Sequence, residues 1–498
     1  MKIKKIARAE IARRSFWDYC KYMAPDYYRE ERHYLKNVCQ VLQALYQGRI
    51  VKDSLDAEWV VLPLGEKPIA GQLICKKLML NMPPQHGKTR TLVLFNSWIF
   101  GQNHLEKVIT GSYNDTVASD FSRYTRDRIS ERPVNDEEMV YSDIFPGTRI
   151  KQGNAGFEKW ALEGSHFSYL GTGVGGSVTS KGASVLIIDD PVKSAEDALN
   201  INNLDRIWLW YTSTFLSRVS ADQGEPIEII CMTRWSKLDI CGRIEDTAEI
   251  KEWYRICMKA YDEVTDTMLC DSMLSKKRFN DLRLKMHPVI FNANYQQQAM
   301  ELEGRLFKTG DLKRFKMSDI DRELNKDKEW LKQDPAVLAY TDVADEGDDY
   351  LAMPISKIWP QRVYITEVIF TQDNIDITMP MVVEAMKRNL VKYNRVESNS
   401  QGAGFIRDLR KEVGVAKVLK VNNTAQKHTR ILLEYGFIKE YCYFLDPSEY
   451  LPGSPYDKFM NQLQSYMKDG SSKQHDDAPD SMSGLSKFIQ GFLPHLFT

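Results

Sequence analysis

The chain has 498 residues, 43% of them hydrophobic and 27% charged, which exceeds one ordinary domain and predicts two or three with real cores. A formal net charge of -1 excludes a uniformly basic coat, so any nucleic-acid contact must come from local basic surface. Eight scattered cysteines without a C-x-x-C pair speak against a zinc knuckle or disulfide framework and for a reducing, cytosolic setting, and no apolar run reaches the roughly 18 residues of a membrane span.

In chain order, the first informative segment is Met82-Pro83-Pro84-Gln85-His86-Gly87-Lys88-Thr89, between the apolar runs Leu78-Met79-Leu80 and Thr91-Leu92-Val93-Leu94-Phe95. It sits where a phosphate loop joins strand to helix. In the pattern G-x-x-x-x-G-K-[ST], backbone N–H groups cradle phosphates, the lysine reaches the β- and γ-phosphates and the hydroxyl ligates Mg²⁺. Gly87, Lys88 and Thr89 match, whereas Met82 replaces the first glycine.

Further on, Val108-Ile109-Thr110 reads as a strand, Asp115 to Ser130 as a helix, and Gly171 to Gly182 as a mobile loop able to contact DNA or a neighbouring subunit. Val185-Leu186-Ile187-Ile188-Asp189-Asp190 is an apolar strand ending in two acids. One can hold Mg²⁺ and the other can polarise an attacking water. Ile227 to Cys231 runs into Thr233-Arg234, placed to sense a γ-phosphate, and Ile240 to Glu245 is helical. Strands alternating with helices predict an α/β domain around a parallel sheet.

From Phe307 to Gln333 the chain is polar, with no period long enough for a strand, and is read as a linker. Strands at Ala336–Tyr340, Leu351–Ile358 and Arg362–Phe370, a helix at Ile375–Asn389 and a strand at Val391–Glu397 then predict a second architecture. Asp342 and Glu397 fall at strand ends, and His475-Asp476-Asp477-Ala478-Pro479-Asp480 opens the last helix. Carboxylates from separate elements can converge on two Mg²⁺ or Mn²⁺ ions roughly 4 Å apart for phosphodiester cleavage. Spacing alone does not select among Asp476, Asp477 and Asp480.

These motifs, with Tyr295-Gln296-Gln297 and Asp349-Tyr350, resemble in order the large terminase subunits of tailed bacteriophages. The resemblance implies an ASCE-type P-loop ATPase over 1–304 with a helical lid over about 1–70, a linker over 305–333 and an RNase H-like nuclease over 334–498. It implies ATP and Mg²⁺ bound through Gln85, His86, Gly87, Lys88, Thr89, Arg90, Asp189, Thr233 and Arg234, with Asp190 as the catalytic acid. It also implies a nuclease triad of Asp342, Glu397 and Asp477, with Asp480 as alternative or additional ligand of Mg²⁺ or Mn²⁺ and Asp349 nearby. Arg90, Arg123, Arg126 and Arg128 are candidates for the arginine completing the ATPase site. The stretch from Phe16 to Tyr28 lines an adenine pocket or packs on the core. Implied partners are double-stranded DNA, a small terminase subunit and a portal protein, in a homo-oligomeric ring in the host cytoplasm without membrane contact. A helicase-like translocase and a nucleotide-binding scaffold are the alternatives.

Overall fold

The computed structural model describes residues 2–135, 138–176, 182–218, 225–286, 288–301, 304–343, 349–397, 402–423, 426–468 and 474–497. They form two compact units, Met1–Glu301 and Leu302–Thr498. Each is mixed α/β. Among the described residues no helix is long and apolar enough to cross a membrane.

The first unit is built on β1 (Lys77–Asn81), β2 (Val108–Ser112), β3 (Ile150–Ala155), β4 (Lys159–Leu162), β5 (Tyr169–Gly173), β6 (Val185–Asp189), β7 (Ile227–Met232) and β8 (Trp253–Cys257). Their order is β8-β1-β7-β6-β2-β5-β4-β3. The first six are parallel and β4 and β3 antiparallel. If β1, β2, β6, β7 and β8 are numbered along the chain, their spatial order is 5-1-4-3-2, the arrangement of ASCE-type P-loop folds. All residues of β6 and β7 are buried, as strands of a parallel sheet covered on both faces must be.

Helices α1 (Phe16–Met23), α2 (His33–Tyr46), α3 (Lys88–Gln102) and α4 (Asp115–Ser130) build around this sheet. α3 buries an almost continuous run from Thr91 to Phe100, so it lies inside the unit rather than on its surface. Its cover is α1, whose Phe16 ring lies 5.6 Å from that of Phe95 and 5.5 Å from that of Trp98. Ser15 caps α1 by accepting from the Asp18 N–H. The Phe16–Tyr28 stretch therefore packs on the core through Phe16, Trp17, Tyr19 and Tyr28, and Tyr27 alone of its rings lines the cavity over the phosphate-loop segment.

The glycine run from Gly171 departs from the expected loop. Gly171 to Gly173 complete β5, and a Cβ on Gly171 would stand 2.3 Å from the Ala118 carbonyl oxygen of α4. Glycine here lets helix and strand approach closely. Residues 177–181 of that expected loop lie outside the described residues.

At the far end of β7, Glu228 is only 8% exposed, and Tyr211 Oη donates to its carboxylate at 3.5 Å. Burial, reinforced by Glu249 and opposed by Lys77, pushes its carboxyl up to about 7 from the ordinary 4.5. The folded state thus holds this proton more tightly than the unfolded chain. The associated stability is full below pH 4.5 and is lost as pH rises through 7. Glu228→Gln should leave the urea midpoint unchanged near pH 4 and raise stability at pH 8 by at most about 3 kcal/mol. An equal effect at both pH values would remove the burial argument.

The second unit is built on β9 (Lys313–Phe315), β10 (Ala336–Thr341), β11 (Leu351–Trp359), β12 (Arg362–Thr371), β13 (Tyr393–Glu397), β14 (Val418–Val421) and β15 (Cys442–Leu445), in the order β9-β15-β12-β11-β10-β13-β14. β10, β11 and β12 are antiparallel neighbours, and β13 and β14 run parallel to β10. Numbered along the chain, β12-β11-β10-β13-β14 read 3-2-1-4-5, the RNase H-like arrangement. The crossovers are α6 (Ile375–Arg388) and α7 (Gly402–Val413), after α5 (Ile240–Glu245) of the first unit; α8 (Lys427–Tyr441) and α9 (Asp477–Phe492) follow.

The segment 305–333, expected as a linker without strands, belongs to this unit. Its β9 pairs parallel with β15 at the sheet edge, and Leu306, Phe307, Leu312, Phe315, Ile320 and Leu331 are buried. A three-residue strand is too short to show a period in sequence, and its partner lies more than a hundred residues away.

Candidate nucleotide site and candidate metal centre

The loop after β1 turns through Gln85 (φ +61°) and Gly87 (φ +92°) before α3 starts at Lys88. Gly87 meets both demands of its place, since it adopts the left-handed backbone and its missing Cβ would lie 2.6 Å from Tyr27 Oη. The Tyr27 ring lies between two guanidinium groups, with Arg32 4.7 Å and Arg90 4.5 Å from its centroid. His86 turns inward, its Nδ1 2.9 Å from the Pro84 carbonyl oxygen, while Tyr34 Oη donates to the His86 carbonyl at 3.1 Å.

Three strand ends converge on Lys88. Its Nζ donates to Thr233 Oγ1 at 2.6 Å and to the Met82 carbonyl at 3.2 Å, and stands 3.1 Å from Asp190 Oδ2. Asp190 Oδ1 accepts from the Thr233 N–H at 2.9 Å. Asp190 itself adopts φ +41°, with its N–H donated to the Cys231 carbonyl. Thr89 Oγ1 donates to Asp189 Oδ2 at 2.6 Å, and the other carboxylate oxygen of Asp189 is buried without a hydrogen-bond partner. Burial, then the neighbouring Asp190, pushes the Asp189 carboxyl up to about 7. An orphaned buried oxygen beside a threonine hydroxyl is a donor set that fits a hard divalent cation.

A cavity of about 440 Å³ opens over this cluster, lined among others by Tyr27, Gln85, Lys88, Arg90, Asp190 and Thr233. Its floor of backbone turn, lysine and helix start suits a polyphosphate. Of the arginines expected near it, Arg90 lines the cavity. Arg123 pairs with Asp120 at 2.8 Å, Arg126 with Asp127 at 2.6 Å and Arg128 with Glu131 at 2.5 Å.

Arg234 does not face the cavity. Its guanidinium is buried between Glu245 at 2.8 Å and Asp239 at 3.4 Å, and its N–H donates to Gln297. Asp239 also caps α5, accepting from the Gly242 N–H, so Arg234 ties the end of β7 to that helix rather than to the loop.

In the second unit, Asp342 follows β10 and is fixed by paired backbone hydrogen bonds with Ala352, Glu397 ends β13, and Asp477 and Asp480 lie in the first turn of α9. One carboxylate oxygen from each of Asp342, Glu397 and Asp480 falls within 4.8 Å of the others. The third member of this group is Asp480, not Asp477. Asp477 is instead held by Gln462 at 3.4 Å and lies 3.8 Å from Lys427. Asp349, the expected neighbour, is exposed.

Burial and the charge of Asp480 hold the Asp342 carboxyl well above the usual range. Burial likewise pushes Asp480 up to about 6, although Arg430 and Lys427 oppose it. Like charges at this spacing, with all-oxygen donors, fit Mg²⁺ or Mn²⁺.

Tyr340 supports the group. Its Oη donates to Glu397 at 3.2 Å and accepts from Asn423 at 2.9 Å, and its ring lies over Gly484 of α9. A Cβ on Gly484 would stand 2.3 Å from the ring. Gly484→Ala should therefore destabilise the chain by about 1–3 kcal/mol, read as a lower denaturation midpoint, and an unchanged midpoint would mean the ring moves freely.

The chain is similar to viral large terminases of known structure. The large terminase of a thermophilic bacteriophage in complex with ADP is 12% identical, with 84% of this chain and 94% of that chain covered and a TM-score of 0.36. The human cytomegalovirus terminase nuclease domain, soaked with manganese and bound to an inhibitor, is 10% identical over 37% of this chain and 94% of that one, with a TM-score of 0.27. A mutant nuclease domain of the large terminase subunit of bacterial virus Sf6, with manganese and beta-thujaplicinol, is 12% identical over 34% and 95%, with a TM-score of 0.24. No protein-family model and no curated protein matches the chain.

Sequence reasoning did not single out Tyr340, Asn423, Lys427 or Arg430. Tyr340 sits two residues before Asp342 on β10, where it reads as an ordinary strand residue, and the other three reach the acids from elements distant in the chain; no motif marks such residues. Tyr27 was visible only as one ring of an aromatic stretch.

Proposed function

We propose that the chain is the large subunit of a viral DNA-packaging motor, in which ATP hydrolysis drives double-stranded DNA into a procapsid and a metal-dependent nuclease cuts concatemeric DNA. One observation carries this reading. A single chain builds both a lysine, threonine and acid-pair site at the strand ends of a 5-1-4-3-2 sheet and a three-carboxylate cluster, with Glu397 and Asp480 buried and Asp342 half-buried, in an RNase H-like unit. Strand separation by a helicase gives the second cluster no task, and a scaffold needs neither the acid pair nor the cluster.

In the first site Lys88 holds the β- and γ-phosphates, Thr89 and Asp189 hold Mg²⁺, and Asp190 orients and polarises the attacking water. Thr233, bonded to both Lys88 and Asp190, reports loss of the γ-phosphate, and Arg234 carries that change to α5 through Asp239 and Glu245. In the second site Asp342, Glu397 and Asp480 would hold Mg²⁺ or Mn²⁺, and the ion would supply water activation and charge stabilisation for phosphodiester cleavage. Asp477 contributes negative charge at the edge of that site. The small terminase subunit, the portal protein and further copies of this chain are the proposed partners, in the host cytoplasm. The test is paired ATP hydrolysis and plasmid cleavage assays on the full chain, with one variant aimed at each site. Absence of both activities in the presence of DNA, portal and small subunit would overturn the reading.

A further inference from the structure

Two cations from the first turn of α8 answer the acids of the second site. Lys427 Nζ lies 2.7 Å from Asp476 and 3.8 Å from both Asp477 and Asp480. Arg430 reaches deeper. Its Nη2 is 2.6 Å from Asp480 Oδ2 and its Nη1 3.6 Å from Glu397 Oε1, with only 10% of its side chain exposed. Its Nε is buried with no hydrogen-bond partner.

The two bridged carboxylates share a pattern. Glu397 receives a neutral hydroxyl, Tyr340, on Oε2 and shows Oε1 to Arg430. Asp480 has a neutral hydroxyl, Ser483, 3.2 Å from Oδ1, which it shares with the Asp480 backbone carbonyl at 2.8 Å, and shows Oδ2 to Arg430. A neutral hydroxyl that can stay thus sits at one oxygen of each acid, and the guanidinium faces the other. The same two acids belong to the group whose oxygens lie within 4.8 Å. Arginine cannot shed its proton in a protein, so its charge leaves the cluster only if the side chain moves.

We propose that Arg430 is the displaceable internal counter-ion of the carboxylate cluster, bridging Glu397 and Asp480 until a divalent cation enters and takes over the oxygens that the guanidinium faces. This rests on reading the cluster as a metal centre. Tyr340 and Ser483 keep both ligands aimed while the guanidinium withdraws, so the site is set before the ion arrives.

The test is Mn²⁺ binding to the full chain without nucleotide, measured by calorimetry, counting only the binding that Asp342→Asn removes. Arg430→Gln should tighten that binding about tenfold, because a fixed positive charge beside the ion is gone. It should also lower the melting temperature without metal and restore it with Mn²⁺. Arg430→Lys keeps a charge but not the fork, and should bind Mn²⁺ more tightly than the native chain but less tightly than Arg430→Gln. If Arg430→Gln does not fold, Arg430→Lys decides alone. Binding in both variants equal to or weaker than native overturns the counter-ion and leaves the metal centre standing. No Asp342-dependent binding in any form removes both.

Discussion

Lys88→Ala is expected to reduce ATP turnover by about 10²- to 10³-fold or more, the loss seen when one preorganised charged donor leaves a phosphate or oxyanion site. The structure adds a second consequence. Lys88 is buried, and Asp190, Thr233 and the Met82 carbonyl all depend on it. Its removal leaves Asp189 and Asp190 facing each other without the cation between them, so the metal-free, nucleotide-free chain should also unfold more readily at pH 8 than at pH 5. Plasmid cleavage by the second unit should continue. ATP hydrolysis at the native rate in this variant would sink the nucleotide site.

Asp342→Asn should do the reverse. Cleavage should fall by about 10³-fold or more with ATP hydrolysis intact, since a ligand that fixes the ion is gone. Stability should rise. Burial and Asp480 hold the Asp342 carboxyl well above its ordinary value, so the folded state resists its ionisation and loses stability as pH climbs above the usual carboxylate range. A neutral amide removes that penalty, giving about 1–2 kcal/mol at pH 8 without metal and nothing near pH 3. A variant that still cuts, or one that cuts no DNA but melts earlier at pH 8, would show that Asp342 is held for structure.

Much of the fold was legible because its signals are local. The strands at Leu78–Leu80, Val185–Ile188 and Ile227–Cys231 are apolar runs buried on both faces, and Asp115 to Ser130 is a helix with the bounds its pattern suggested. Asp189, Asp190 and Thr233 follow directly from those strand ends, Lys88 and Thr89 from the turn after the first, and Asp342 and Glu397 from the ends of β10 and β13, while their roles came from the resemblance. What failed was orientation and long-range pairing. Arg234 follows Thr233 directly, yet adjacent residues on an extended chain point opposite ways, and Asp239 and Glu245 offer its guanidinium two acids on the other side. Asp477 and Asp480 share a helix face, and only packing against Gln462 and Arg430 separates their tasks. Arg430 itself is one of many basic residues in the sequence; two acids from elsewhere in the unit, Glu397 and Asp480, give it meaning.

Asp190 sits in a backbone region that side chains other than glycine, asparagine and aspartate seldom enter. The same residue completes the lysine and threonine cluster, so its strain is retained for the sake of one carboxylate. Glycine there would relax the turn but leave the buried Lys88 ammonium and the Thr233 N–H without their acceptor, so the partners of the carboxylate hold the strained aspartate in place.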